Sequence, residues 1–214
     1  MVKTILKEHA ISSAAVAASF LTLVATSASA ATVGPSVRLT ARGNELARTT
    51  GLRRGDLPSP FHGGFVAGRP GVPACGAHRP PDDRLHVGGY ASAAFAERDA
   101  HVYSKVTIYR DSATTDVAFA RFRSSYTAAC AADAAGSPGQ LISATVLHVH
   151  VPLDHARVFA FILRRGGVYW TGRVYLLGEG RIAATLLVEH RGKRFTGSDT
   201  AQLSLSLLVS RMED

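Results

Sequence analysis

VYSKVTIYRDSATTDVAFARFRSSYTAAC, residues 102–130, reads as a strand, a turn and a helix, and it ends on one of the chain's two cysteines. In the first half Val102, Ser104, Val106 and Ile108 fall on one side of an extended chain, and Tyr103, Lys105, Thr107 and Tyr109 fall on the other. Alternation with period two is the mark of a strand with two different faces. Arg110-Asp111-Ser112 then turns the chain, and Ser112 or Thr114 can cap the helix that follows. Phe119, Phe122, Tyr126 and Cys130 are spaced 3, 4 and 4 residues apart, so they form one apolar stripe that directs Cys130 toward the core.

The flanks extend this pattern. YASAAFA (90–96) precedes the strand across the polar turn Glu97-Arg98-Asp99, which predicts a hairpin. Beyond the loop AAGSPGQ (134–140) come four apolar runs, LISATVLHVHV (141–151), RVFAFILR (157–164), VYWTGRVYLL (168–177) and RIAATLLVEH (181–190). They are joined by PLDHA, RGG and GEG, and connections this short favour antiparallel neighbours. SDTAQLSLSLLVSRM then opens on a Ser/Asp cap and places Ala201, Leu205, Leu208 and Met212 on one helical face. The expected order is ββ-α-ββββ-α. It corresponds to an α+β fold, a curved antiparallel sheet of about five to six strands with two main helices packed on one side.

The N-terminus has different chemistry. Lys3 and Lys7 precede an apolar run of 16 residues, AISSAAVAASFLTLVA, which is followed by Ala28-Ser29-Ala30. These are the three regions of a secretory signal peptide, with cleavage expected before Ala31. The run is too short and too rich in Ala and Ser to suit a bilayer span, so no transmembrane segment is expected after cleavage and the mature chain is expected outside the cell. Residues 31–50 read as a linker with a short helix around NELARTT, and 51–214 as a single domain. Its first part, 51–89, is an arm with nine Gly and six Pro, too broken for long helices or central strands, and VGG (87–89), RGG and GEG read as turn glycines.

The formal net charge is +8, and 20 of the 24 basic residues are Arg. The basic residues are scattered rather than clustered into a stripe, which excludes nucleic acid as the expected partner. Electrostatic contact with anionic envelope polymers, or solubility alone, accounts for the charge. In an exported chain two cysteines are most simply a disulfide, and Cys75–Cys130 would staple the Gly/Pro arm to the end of the helix. Closing a loop on the order of 50 residues contributes about 4 kcal/mol in the chain-entropy treatment. Ellman titration of denatured, unreduced protein is expected to find no free thiol; two free thiols would remove the bridge.

No nucleophile elbow, phosphate-binding loop, dinucleotide fingerprint or H-E-x-x-H motif is present, so no catalytic residues and no cofactor are assigned. Two constellations carry possible chemistry. In HVHVPLDH (148–155), His148 and His150 on one strand face, with His155 in the following turn, have the ligand types of an open zinc site; the plainer reading is surface or edge histidines. Tyr103, Lys105 and Tyr109 share one strand face, and Tyr169, Arg173 and Tyr175 share another. Such aromatic and basic faces can stack on sugars or grip an anion, or simply pack between sheet and helix.

LRRGDLP (52–58), the Cys75 arm, the hairpin AAFAERDAHVYSKVTIYRD and the helix AFARFRSSYTAAC together resemble the PknH-like extracellular sensor domain of actinobacterial membrane kinases and stand-alone secreted proteins. The likeness spans about residues 45–212. It departs in cysteine number, because two cysteines permit one bridge where the sensor domain of the mycobacterial kinase has two, and no kinase domain is expected with it. The resemblance implies an α/β sandwich with a cleft that binds an envelope ligand, and it supplies no catalytic set. The expected function is therefore a secreted, non-enzymatic, sensor-like domain that binds an envelope ligand or a partner protein. A small metal-dependent hydrolase using His148, His150 and His155, and a protein-interaction module, stand as alternatives.

Overall fold

The computed structural model describes residues 37–67, 85–124 and 139–214. Cys75 and Cys130, and with them the expected disulfide, lie outside the described residues, as do the signal region and Tyr126. The elements are helix α1 (Ala41–Thr50), strands β1 (His62–Phe65), β2 (Val87–Glu97) and β3 (Ala100–Tyr109), helix α2 (Ser112–Ser124), strands β4 (Gln140–Leu147), β5 (His155–Arg165), β6 (Val168–Glu179) and β7 (Ile182–Arg191), and helix α3 (Ser198–Glu213). The class is α+β. The strands form one antiparallel sheet in the order β1-β2-β3-β7-β6-β5-β4. Among the described residues no helix is long and apolar enough to cross a membrane.

Chain order explains this arrangement. β2 and β3 form a hairpin, α2 carries the chain away, and β4 to β7 return as a meander whose last strand docks on β3. The β5–β6 turn is built on Gly166 and Gly167, with φ of 55° and 81°, the left-handed pair that matches the twist of a two-residue hairpin. α2 starts where the sequence placed it, but its cap is Asp111 rather than Ser112 or Thr114. The Asp111 carboxylate accepts the Thr114 N–H at 2.8 Å and the Thr114 hydroxyl at 2.6 Å. Those bonds, and the hydrogen bond from Arg110, hold its pKa down to about 2.

The helices do not share one side of the sheet, contrary to the sequence expectation. Val102, Val106 and Ile108 of β3, Leu186 and Val188 of β7, and Tyr175 and Leu177 of β6 are buried with Ala47 of α1 and Ala201, Leu208 and Met212 of α3. Phe159, Phe161 and Leu163 of β5, Val174 and Leu176 of β6, and Leu187 of β7 are buried with Phe119 of α2. Successive residues of a strand point to opposite faces, so the neighbours Leu186 and Leu187 enter two different cores. A sheet covered on both faces produces near-continuous apolar runs, which is the texture of 157–190. Each fully enclosed Leu or Phe contributes about 2 kcal/mol.

One element was not expected, and the expected short helix starts earlier than its sequence indicates. The Gly/Pro arm supplies the edge strand β1, paired with β2 from His62↔Ala96 to Phe65↔Ala93. The short helix begins at Ala41, earlier than NELARTT, because the Thr40 hydroxyl accepts the Gly43 N–H at 2.9 Å and caps it there. Helix α1 then lies on the backbone of β2. A Cβ on Gly43 would stand 2.2 Å from the Gly88 carbonyl oxygen, and one on Gly89 would stand 2.1 Å from the Gly43 carbonyl oxygen. Gly88 and Gly89 therefore lie inside strand β2 and are not turn glycines; Gly89 is the close-packed one, while a Cβ on Gly88 would meet only the Ile108 carbonyl oxygen, at 4.0 Å. The Asn44 side-chain oxygen accepts the Tyr90 N–H at 3.1 Å beside this crossing.

The Asp56-Leu57-Pro58 segment is an anchor. Leu57 is buried, and the Arg211 guanidinium of α3 donates to both Asp56 carboxylate oxygens at 2.8 Å and to the Gly51 carbonyl at 2.8 Å. Burial pushes the Asp56 carboxyl up, but the hydrogen bonds from Arg211 and the Arg53 N–H, with the charges of both arginines, outweigh it and leave the pKa below the usual carboxylate range. A carboxyl depressed on folding contributes stability that is present above its unfolded pKa and lost as pH falls through its folded value. Asp56→Asn is accordingly expected to cost about 1–2 kcal/mol at neutral pH. In urea titrations the difference from the parent chain should vanish below the ordinary carboxylate range; a difference that persists there would break the assignment.

Candidate ligand-binding site on the α2 face

The strand alternation that buries Val102 and Val106 under α1 and α3 sends His101, Tyr103 and Lys105 to the α2 face. Pairing with β2 sets Ala96, Ala94 and Ser92 opposite these three, and pairing with β7 sets Glu189, Leu187 and Thr185 opposite them on the other side. β1 brings His62 next to Ala96. Small side chains at Ala94 and Ala96 leave a depression between larger ones, a groove of about 400 Å³ whose lining includes His62, His101, Tyr103, Arg165 and Glu189.

Glu189 organises this groove. It is 3 % exposed, and its carboxylate accepts both Arg165 terminal nitrogens at 3.2 Å and faces His101 Nδ1 at 2.9 Å. The His101 ring stacks on Trp170 with centroids 4.8 Å apart, and the Arg165 guanidinium lies 5.1 Å from the same indole. A buried carboxylate held from two sides fixes the ring and the guanidinium it touches, so the groove is lined by pre-positioned polar groups. Next to it, burial pushes the Tyr103 hydroxyl up to about 12, with the Tyr90 hydroxyl adding to the shift and a hydrogen bond with Ser92 opposing it.

Two smaller sites flank the groove. At the far corner of the same face, His155 Nε2 lies 2.7 Å from Asp116 Oδ1 of α2, and its ring stacks on Phe119 with centroids 4.9 Å apart, beside a pocket of about 180 Å³. At the start of β2, Arg38, His86 and Arg110 line a hollow of about 360 Å³, where Arg110 is already paired with Asp111 at 2.6 Å.

The sequence candidates separate among these places. Tyr103 and Lys105 share the α2 face as expected. Tyr109 is on that face too, but it is buried with Leu85, Val87 and Ala118. Tyr169, Arg173 and Tyr175 lie on the opposite face. There Tyr175 is core, the Arg173 guanidinium sits 4.6 Å from the Phe195 ring, and the Lys193 ammonium sits 4.5 Å from the Tyr169 ring. The histidines separate as well. β4 ends at Leu147, so His148 and His150 are not on a strand; both are exposed while Val149 and Val151 pack inward, and His155 pairs with Asp116. Among the described residues no group of three His, Cys, Asp or Glu side chains could hold a metal ion.

His62, His101, Arg165, Trp170 and Glu189 were missed as a group. The alternation that exposed Tyr103 and Lys105 also carried His101, and that was the one available signal. Neither a family profile, nor a curated protein, nor a solved structure matches this chain.

Proposed function

We propose that the chain is an exported, non-enzymatic ligand-binding domain acting at the cell envelope, as its resemblance to PknH-like sensor domains implies. The observation that carries this reading is the groove over Ala94 and Ala96, with the paired His101, Glu189 and Arg165 in its wall. A concave site with a few convergent polar groups is where small ligands bind. Glu189 accepts from the Arg165 guanidinium and lies against the His101 ring, which suits it to hold both in place.

The test is a thermal-shift screen against muropeptides, glycans and envelope lipids, run in parallel on Ala96→Leu, which fills the groove from a partly exposed position. A ligand present at about a hundred times its Kd stabilises by about 2.7 kcal/mol, a rise of about 5–10 °C for a domain of this size. That rise is expected in the parent chain and not in Ala96→Leu. Hits that shift both proteins equally would remove the groove as the site.

A second reading, a protein-interaction module, is favoured by the edge strand β4. Ile142 and Val146 there are 46 % and 54 % exposed, and an apolar edge of this kind can take up a further strand.

A further inference from the structure

Lys105 stands midway along β3 on the α2 face. Its cross-strand neighbours are Ser92 on β2 and Thr185 on β7, and its neighbours along the same face of β3 are Tyr103 and Thr107. All four carry hydroxyls and none carries a carboxylate. Other ionisable groups on this face are Tyr90 on β2, His101 and Tyr109 on β3 and Glu189 on β7, and His101 and Glu189 are already bonded to each other.

Among the described residues the Lys105 ammonium makes no hydrogen bond or ion pair, and neither do the hydroxyls of Thr107 and Thr185, although both threonines are 8 % exposed. A partly buried ammonium without a counter-charge is costly, and desolvation holds its pKa below the ordinary lysine range. The strand register thus sets side by side three donors that have no partner among the described residues, of which Lys105 is partly exposed to solvent.

Base catalysis does not fit this arrangement. Ser92, the hydroxyl directly across from Lys105, donates to the Val66 carbonyl at 3.2 Å and is engaged with Tyr103, so it is not presented to the amine as a nucleophile.

We propose that Lys105, Thr107 and Thr185 form a subsite for an oxyanion, a phosphate or a carboxylate group, carried by the ligand of the adjacent groove. The inference rests on the groove reading above, since Tyr103 lines the groove and stands two residues, about 7 Å, along the same strand face. The ammonium supplies a charge-assisted hydrogen bond and the two threonines supply neutral donors, the combination that replaces the hydration shell of an oxyanion.

The chain has four lysines, Lys3, Lys7, Lys105 and Lys193, so biosynthetic ¹³C labelling at the lysine Cε produces few signals. Lys193, over the Tyr169 ring, is the internal control. The full chain is titrated with inorganic phosphate and, separately, with acetate, each against sodium chloride of matched ionic strength. One of the two anions is expected to move the Lys105 signal saturably at about millimolar concentration and to raise its pKa by about one unit, a tenfold preference for the charged amine. Which anion does so separates a phosphate-bearing from a carboxylate-bearing ligand.

Lys105→Met is expected to lose the anion's effect on Tm while its own Tm is unchanged or higher, because an unpaired charge has been replaced by an apolar chain of similar shape. A Lys105 signal that stays still, or that moves only in step with Lys193 and with sodium chloride, overturns the proposal. A groove ligand that binds Lys105→Met as tightly as the parent chain overturns the subsite and leaves the groove standing. An anion response at Lys105 in a protein for which no groove ligand is found removes the groove reading alone.

Discussion

Gly89→Ala is expected to destabilise the domain by about 3 kcal/mol or more, measured as a fall in the urea midpoint at unchanged slope. The added methyl would stand 2.1 Å from the Gly43 carbonyl oxygen and 2.2 Å from its carbonyl carbon, and both obstacles are backbone, so no rotamer change relieves the overlap. α1 would have to lift from β2, opening the core that Ala47 shares with the buried Ala91 and Val106. Gly43→Ala provides a sign test. In a helix interior Gly to Ala normally stabilises by about 1 kcal/mol, whereas here its Cβ would lie 2.2 Å from the Gly88 carbonyl oxygen and the change is expected to destabilise. A gain in stability for Gly43→Ala would mean that α1 does not pack on β2 in this way.

Arg165→Met is expected to cost about 3 kcal/mol, because it removes two hydrogen bonds and a full charge from a carboxylate that is only 3 % exposed. Glu189→Gln made in the Arg165→Met background should recover part of that loss, since the buried charge is then gone. The resulting coupling in a double-mutant cycle should exceed about 1 kcal/mol. Additive effects would mean that Arg165 and Glu189 do not act as a pair. The same variants loosen the His101 ring, so any groove ligand should bind more weakly to them at temperatures where they remain folded.

Much of the fold was legible because local rules govern it. The alternation in VYSKVTIY reports two faces wherever the strand lies, and the β5–β6 turn needs the two left-handed glycines that RGG provides. The errors have physical causes. The edge strand β1 is four residues, HGGF, and is held by β2 rather than by its own propensity. β4 was overextended through Val149 and Val151, whose alternation with His148 and His150 looks like a strand; in the fold those valines pack against the α1/α3 core without strand pairing. A carboxylate caps α2 in place of the Ser112 or Thr114 hydroxyl, because Asp111, one residue before the helix, reaches the Thr114 N–H.

By itself, then, the sequence determined the α+β class, the hairpin, the four-strand meander, the start of α2 and the shared face of Tyr103 and Lys105. Each of these follows from side-chain direction over a few consecutive residues. Only the tertiary structure decided that α2 lies opposite α1 and α3, that β7 returns to pair with β3, and that Glu189 therefore meets His101 and Arg165. Those outcomes depend on which strand edge closes against which across more than 70 residues, as in His101↔Glu189. A periodic pattern carries no information about its partner. The groove and the hydroxyl-ringed lysine exist only after that choice has been made.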